Sequence, residues 1–457
     1  MKMEKKFRKS LFIFRRDLRL EDNTGLIFAL KSSEVVIPAF IFTPEQIEKN
    51  PFRSDHCLQF MIESLQDLEN QLKKKRAKLF FFHGKSGEIV KKCIRDLKID
   101  ALIVNQDYTP YSQKRDKELE KVCKKGQIPF YSFEDALLHP LEKTLKKDGK
   151  PYTIFTPYFR NASTLKVAPP LQNRATNYFH GSISFAKGSF PKPTTKNQLI
   201  GGRKEALKIL EALASFRKYP KLRDFPAEEC STKLSPYLKF TVCSPREVYA
   251  AIAHHLTAHH ELIRSLYWRD FFTSIAFFFP HVFNGAFHPK FDALKWSYSK
   301  KDFQRWCEGT TGFPIVDAGM REMNATGFMH NRVRMIAASF LIKDLHIDWR
   351  WGEKYFAKTL IDYDPSVNNG NWQWVASSGC DAQPYFRIFN PWSQQKKFDP
   401  ESLYIKKWIP ELDAVSSKAI HSWYEEKNRT GKIDYPAPMI DHTKEAKKAL
   451  RAYNTIR

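Results

Sequence analysis

The segment Asp362 to Trp374, DYDPSVNNGNWQW, sets two indoles, Trp372 and Trp374, behind a run of aspartate, asparagine and glycine. Indole rings are large and oxidisable, so they can carry electrons as well as fill a core. Asp362, Asp364 and Asn368 are hydrogen-bonding groups, although in turns such residues commonly bond only their own backbone. A second stretch with chemical capacity is STKLSP, in which Ser231, Thr232, Lys233, Leu234 and Ser235 precede Pro236. Hydroxyls and backbone N–H groups at a helix start suit a phosphate. Taken alone, the same residues describe a capped helix with proline at its first position.

The elements that must position these residues follow from periodicity. Short apolar runs LFIF (11–14), VVIPAFIF (35–42), LFFF (79–82), ALIVN (101–105) and IPFYSF (128–133) read as strands. Ser54 to Leu72 places Leu58, Met61, Ile62, Leu65, Leu68 and Leu72 at three- and four-residue spacings, the pattern of an amphipathic helix. This alternation predicts a Rossmann-like, doubly wound parallel sheet over 1–135. No GxGxxG follows the first strand, so an ordinary dinucleotide site is not expected there. Residues 136–202 are rich in Pro, Gly, Ser and Thr and read as a long linker. Strand signals then almost vanish, and Ser244-Pro245-Arg246-Glu247 has the form of a capping box. Residues 203–457 are expected to form an all-α domain that contains all ten tryptophans. Core packing accounts for most of those rings.

The 75 Lys and Arg against 50 Asp and Glu leave a charge of +25, which favours polyanionic partners such as nucleic acid. Seven dispersed cysteines without a CxxC pair point to reduced thiols, with no metal site and no disulfide framework. The basic start MKMEKKFRKSLFIFRRD has too short an apolar run for a secretory signal. The apolar run FFTSIAFFFP (271–280) is about half a membrane span. A soluble, cytoplasmic protein without a membrane segment is expected.

The segments RRDLRLEDN (15–23), LRDFP (222–226), STKLSPYLKF (231–240), YWRDFF (267–272), TGFPIVDAGMREMNATGFMHNRVRM (311–335) and DYDPSVNNGNWQWVASSGCDAQPYFRIFNP (362–391) together resemble the photolyase/cryptochrome flavoproteins. The similarity is strongest to the bacterial-type, class I cyclobutane pyrimidine dimer photolyases and spans nearly the whole chain. It implies an α/β domain beside a helical FAD-binding domain, and a reduced flavin that uses blue light to split pyrimidine dimers in damaged DNA. The cofactor supplies the difficult step, and the protein binds it, tunes it and presents the lesion.

The resemblance also assigns roles. Tyr219, Ser231, Thr232, Lys233, Leu234, Ser235, Arg269, Arg334, Asp362 and Asp364 match flavin-binding positions, with Arg334 expected to pair with Asp362. Asn368 matches the residue facing flavin N5, where a neutral amide suits repair through the anionic reduced flavin. Trp372, Trp349 and Trp296 match the proximal, middle and terminal members of an electron relay. Trp374 and Trp268 match rings lining the dimer pocket, and Asn331 and Met335 match residues touching the dimer. Arg223, Arg332 and Arg387 match positions near the phosphates, which would make binding salt-dependent. The resemblance also implies extrusion of the lesion from the duplex, as photolyases flip their target bases.

One position departs from the pattern. Dimer photolyases carry a glutamate three residues before the Trp-Arg pair, whereas this chain has Ser265 there, with Glu261 one helical turn earlier. Losing a hydrogen bond to a charged group costs ~1.5–3 kcal/mol, so weakened or altered dimer recognition is expected. Asn105 to Asp116 resembles flavin- or deazaflavin-binding variants of the antenna site more than folate-binding ones, and Ser112 occupies the acidic folate-ligand position. A second chromophore of flavin, deazaflavin or folate type is left open. A blue-light-sensing, DNA-binding cryptochrome and a (6-4) photolyase are the alternatives. The first usually has a long C-terminal extension, and the second needs a histidine pair where this chain reads His330-Asn331-Arg332. A monomer is expected.

Overall fold

The structure is a computed structural model that describes residues 5–48, 50–192, 195–429 and 433–456. The first four residues of the basic N-terminal run therefore lie outside the described residues. The chain divides into two compact units, Met1–Ala214 with Lys233–Pro280, and Ser215–Thr232 with His281–Arg457.

In the first unit, β1 (Phe7–Phe14), β2 (Ser33–Phe42), β3 (Phe80–His83), β4 (Ala101–Asn105) and β5 (Phe130–Phe133) form one sheet in the order β3-β2-β1-β4-β5. Every pairing is parallel, with Leu11 opposite Ile37 on one side and Leu102 on the other. This is the doubly wound order, and strands covered on both faces must be apolar throughout. Accordingly all five residues of β4 are buried. The helix Asp55–Lys74 buries the predicted stripe, and the Ser54 side chain caps it by accepting from Cys57 N–H at 3.2 Å. Gly25, in the helix Thr24–Ser32, donates its N–H to Asn105 Oδ1 at 2.9 Å. An added Cβ would sit 2.7 Å from that oxygen, so the close helix–strand approach requires glycine.

The RRDLRLEDN segment is a structural knot. Arg19 Nη2 donates to Asp135 Oδ2 at 2.6 Å, and its Nη1 donates to the carbonyl and hydroxyl oxygens of Thr241. Arg246, in the helix Pro245–His255, donates to Asp22 Oδ2 and Asp135 Oδ1, both at 2.9 Å. Ser244 hydrogen-bonds Asp22 and completes the predicted capping box with Glu247. The network ties Lys233–Pro280 to the sheet, which is why a segment late in sequence belongs to the first unit. Within 136–202 the chain forms the helix Phe155–Ala162, which buries Phe155 and Tyr158.

The second unit is helical. Its core gathers Trp306, Phe313, Met320, Val333, Phe340, Leu341, Trp349, Phe356 and Trp372. None of the seven cysteines, all among the described residues, is joined in a disulfide. Among the described residues no helix is long and apolar enough to cross a membrane.

Burial alone would raise the Asp135 carboxyl, but Arg19 and Arg246 outweigh it and bring it down to about 2. A carboxyl depressed in this way stabilises the fold above its unfolded value of about 3.9, and that contribution is lost as the pH falls toward about 2. Asp135→Ala leaves two buried guanidinium groups short of a partner and is expected to cost ~3–5 kcal/mol in denaturant unfolding at neutral pH. The difference from the parent protein should narrow as the pH is lowered through the acid range.

Candidate functional site

The segment from Asp362 to Trp374 begins at a pair of ions. Arg334 donates Nη1 and Nη2 to Asp362 Oδ1 and Oδ2 at 3.1 and 2.9 Å, in the bidentate geometry that guanidinium and carboxylate favour. Its Nε donates to Met329 O at 2.8 Å. Two residues on, Asp364 caps the helix Pro365–Val375 by accepting from the N–H groups of Ser366 and Val367, with Pro365 at the first position. A carboxylate there also faces the positive end of the helix dipole. Arg334 lies on the helix Asn331–Ser339, whose start is capped by His330 Nδ1 accepting from Arg332 N–H. Burial lowers His330 to about 4, with Arg334 and Arg332 acting in the same direction against Asp224, so the ring is neutral and Nδ1 keeps its lone pair.

On the helix Pro365–Val375, Asn368 is 9% exposed and donates Nδ2 to Glu353 O at 3.1 Å, a bond that engages its amide nitrogen and not its carbonyl oxygen. Asn369 donates to Val282 O and Glu353 Oε1, and Gln373 donates to Val282 O and Gly285 O while accepting from Phe287 N–H. Burial raises the Glu353 carboxyl to about 7, against the opposing effects of Asn369 and Arg350. Asn369 and Gln373 stand four residues apart and so share a helix face, a spacing that is visible in the sequence. Glu353 gave no comparable signal, because its partners are remote in the chain.

Trp372 and Trp349 are buried and Trp296 is half-buried, all packed on the same core; Trp374 is half-buried. Met335 is half-buried, whereas Asn331 and Arg387 are exposed. Arg332 pairs with Asp224 at 2.7 Å and lies over the Phe398 ring, and the Arg223 guanidinium lies over the Tyr219 ring. Ser231 and Thr232 are half-buried in this unit.

The remaining candidates belong to the first unit. Lys233 adopts a left-handed backbone, with φ +52°. Side chains other than glycine hold that conformation only when their surroundings enforce it. Ser235 opens the short helix Ser235–Lys239 as its first residue rather than as its cap, because Leu234 already has helical dihedrals. Ser265 is exposed on the helix Glu261–Phe278. Trp268 stacks on Phe155 with centroids 3.6 Å apart and planes 7° apart, and Arg264 covers Phe155 at 5.2 Å. Phe155 carries no signal in the sequence, because it lies in the Pro- and Gly-rich stretch. Arg269 is engaged by the carbonyls of Ala136 and Leu238 and by Asp270. Just past the C-terminal ends of the inner strands β1 and β4, Arg15 pairs with Asp116 at 2.7 Å, and Ser112 donates to Asp107 at 2.9 Å.

Known sequences decide the family. The DNA photolyase profile matches residues 10–175, and the profile of the FAD binding domain of DNA photolyase matches 262–455. A deoxyribodipyrimidine photo-lyase from Alkalihalophilus pseudofirmus is 39% identical, with 96% of both chains covered. The chain belongs to the DNA photolyase family. Family members of known structure share the two-part fold. An archaeal photolyase from Sulfolobus tokodaii, solved with two FAD molecules and described as implying a novel light-harvesting cofactor, is 42% identical. It superposes with a TM-score of 0.87, covering 98% of this chain and 100% of that one. A cryptochrome from Synechocystis is 26% identical, with a TM-score of 0.89, covering 98% of this chain and 100% of that one.

Trp372 owes its place to a glycine. A Cβ on Gly352 would lie 2.1 Å from Trp372 Cη2 and 2.6 Å from Leu341 Cδ2. In an exposed helix Gly→Ala stabilises by ~0.5–1 kcal/mol. Gly352→Ala is expected instead to destabilise by ~1–3 kcal/mol through overpacking, measured by denaturant unfolding and accompanied by a shift in tryptophan emission.

Proposed function

We propose that the protein repairs cyclobutane pyrimidine dimers in DNA under blue light, as a deoxyribodipyrimidine photo-lyase carrying FAD. The observation that carries this reading is the helix Pro365–Val375, which holds a buried neutral amide, Asn368, four residues before the buried indole Trp372. The donor set fits a flavin. Asn368 offers a carbonyl oxygen without a titratable proton, and the Arg334–Asp362 pair offers a fixed polar edge. When bound, FAD supplies photoexcited electron transfer to the lesion.

The chain's own residues bind, orient and supply electrons. Tyr219, Arg269, Arg334, Asp362, Asp364 and Asn368 hold the cofactor, and Ser231 to Ser235 cradle its phosphates. Trp296, Trp349 and Trp372 relay electrons inward. Trp268, Trp374, Asn331, Met335 and Ser265 contact the lesion, and Arg223, Arg332 and Arg387 contact phosphates. In this reading residues 1–135 form an antenna-type domain, 136–202 a linker and 203–457 the catalytic domain. The protein acts as a cytoplasmic monomer.

Ser265 marks where recognition has changed. A neutral hydroxyl accepts more weakly than an ionised carboxylate, so the thymine edge loses a charge-assisted bond. The same helix begins with Glu261, one turn before Ser265.

The experiment is blue-light repair of a defined thymine dimer in a short oligonucleotide by chemically reduced protein, with a dark control. Light-dependent loss of the dimer is expected, and persistence of the dimer with reduced FAD bound would overturn the reading. Ser265→Glu is expected to tighten dimer binding by about one to two decades. Raising the salt concentration should weaken binding by orders of magnitude.

A further inference from the structure

A row of aromatic rings leads from Trp372 to the surface without passing through Trp349 or Trp296. Trp306 meets Trp372 edge-on at 6.3 Å between centroids. Phe303 stacks on Trp306 at 5.8 Å and meets Trp351 edge-on at 5.2 Å. Trp351 lies 6.1 Å from Tyr298. Trp306 is 0% exposed, Trp351 is half-buried and Tyr298 is 67% exposed, so the row runs from core to water.

We propose that this row is a second electron entry route, ending at Tyr298, that refills Trp372 after light-driven oxidation; it rests on the flavin reading above. When bound and excited, oxidised FAD would accept one electron from Trp372, leaving the vacancy on that indole. The vacancy passes to Trp306, then across the Phe303 ring to Trp351 and on to Tyr298, one electron moving inward at each step. At Tyr298 the phenol loses its proton to water as it is oxidised, which leaves a neutral phenoxyl radical. A thiolate in solution returns the electron, and water returns the proton.

Electrostatics give the vacancy a direction. A positive charge on fully buried Trp306 lacks hydration and is costly, so it moves outward. Trp306 Nε1 donates to Ala337 O at 3.0 Å, a carbonyl that cannot take the proton, so the ring passes its charge on. The proton can leave at Tyr298, whose ring stands in solvent. The relay through Trp349 works against a guanidinium, since Arg350 lies 4.8 Å from that ring. Asp348 and Asp292 pair with Arg350 and offset part of its charge. Tyr355 also meets Trp306, at 5.8 Å, but its hydroxyl donates to Asn324 Oδ1, an amide oxygen that is a poor base.

The test is electron paramagnetic resonance and transient absorption after a laser flash, on the full-length protein holding oxidised FAD. The parent protein is expected to give a tyrosyl signal. That signal is expected to disappear in Tyr298→Phe and in Trp306→Phe, and to persist in Trp296→Phe. Because Trp306 is a core ring, Trp351→Phe, at a half-buried position, provides the same break in the row should Trp306→Phe fail to fold. Absence of a tyrosyl signal in the flavin-bound parent protein, or its survival in folded Trp306→Phe or Trp351→Phe, would overturn the route. Folded protein that binds no flavin would overturn the flavin reading, and this route with it.

Discussion

Arg334 reaches Asp362 with two parallel donors, and the chain that follows takes its direction from that pair. Two residues later Asp364 caps a helix, Asn368 falls one turn in, and Trp372 and Trp374 fall near its end. Each step constrains the next. The ion pair fixes where the helix can start, the cap fixes which residue starts it, and helical geometry then dictates which side chains share a face. Asn369 and Gln373 bind a neighbouring side of that helix to the carbonyls of Val282 and Gly285. The rotation of the helix is thus held from two sides.

Acidic and basic groups do different work in the two units. In the first, Asp22, Asp135, Arg19 and Arg246 form a closed buried network that joins distant segments. Breaking such a network is costly because a charge is then left without compensation. In the second unit the charged residues that matter most border the candidate site, where a partly exposed Arg334 meets a buried Asp362. The basic excess of the chain as a whole serves neither purpose and is available for a polyanion.

Much of this was legible in the sequence, for identifiable reasons. Strands β1 to β4 were readable because a parallel sheet covered on both faces favours near-continuous apolar runs, whereas the half-buried edge strand β5 showed in its aromatic residues. The helix after Ser54 showed in its stripe, and the Arg334–Asp362 pair followed from the family resemblance. What stayed hidden depends on contacts remote in the chain. Phe155 lies in a stretch dominated by loop-forming residues, yet it stacks on Trp268 more than a hundred positions later. Ser235 has the residue type of a cap, but the helix starts one residue earlier than that type suggests, since Leu234 already has helical dihedrals. Glu353 and Trp306 looked like ordinary helix residues, and only the folded chain sets them beside Asn369 and Trp372.

In the proposed function the Arg334–Asp362 pair holds in place the segment that would face FAD. The direct measurement is the flavin content of purified Arg334→Gln, by absorbance per mole of protein, with circular dichroism to establish that the variant is folded. The folded variant is expected to retain little flavin, because the amide cannot make the bidentate charged contact. A folded variant that keeps a full complement of flavin would contradict it.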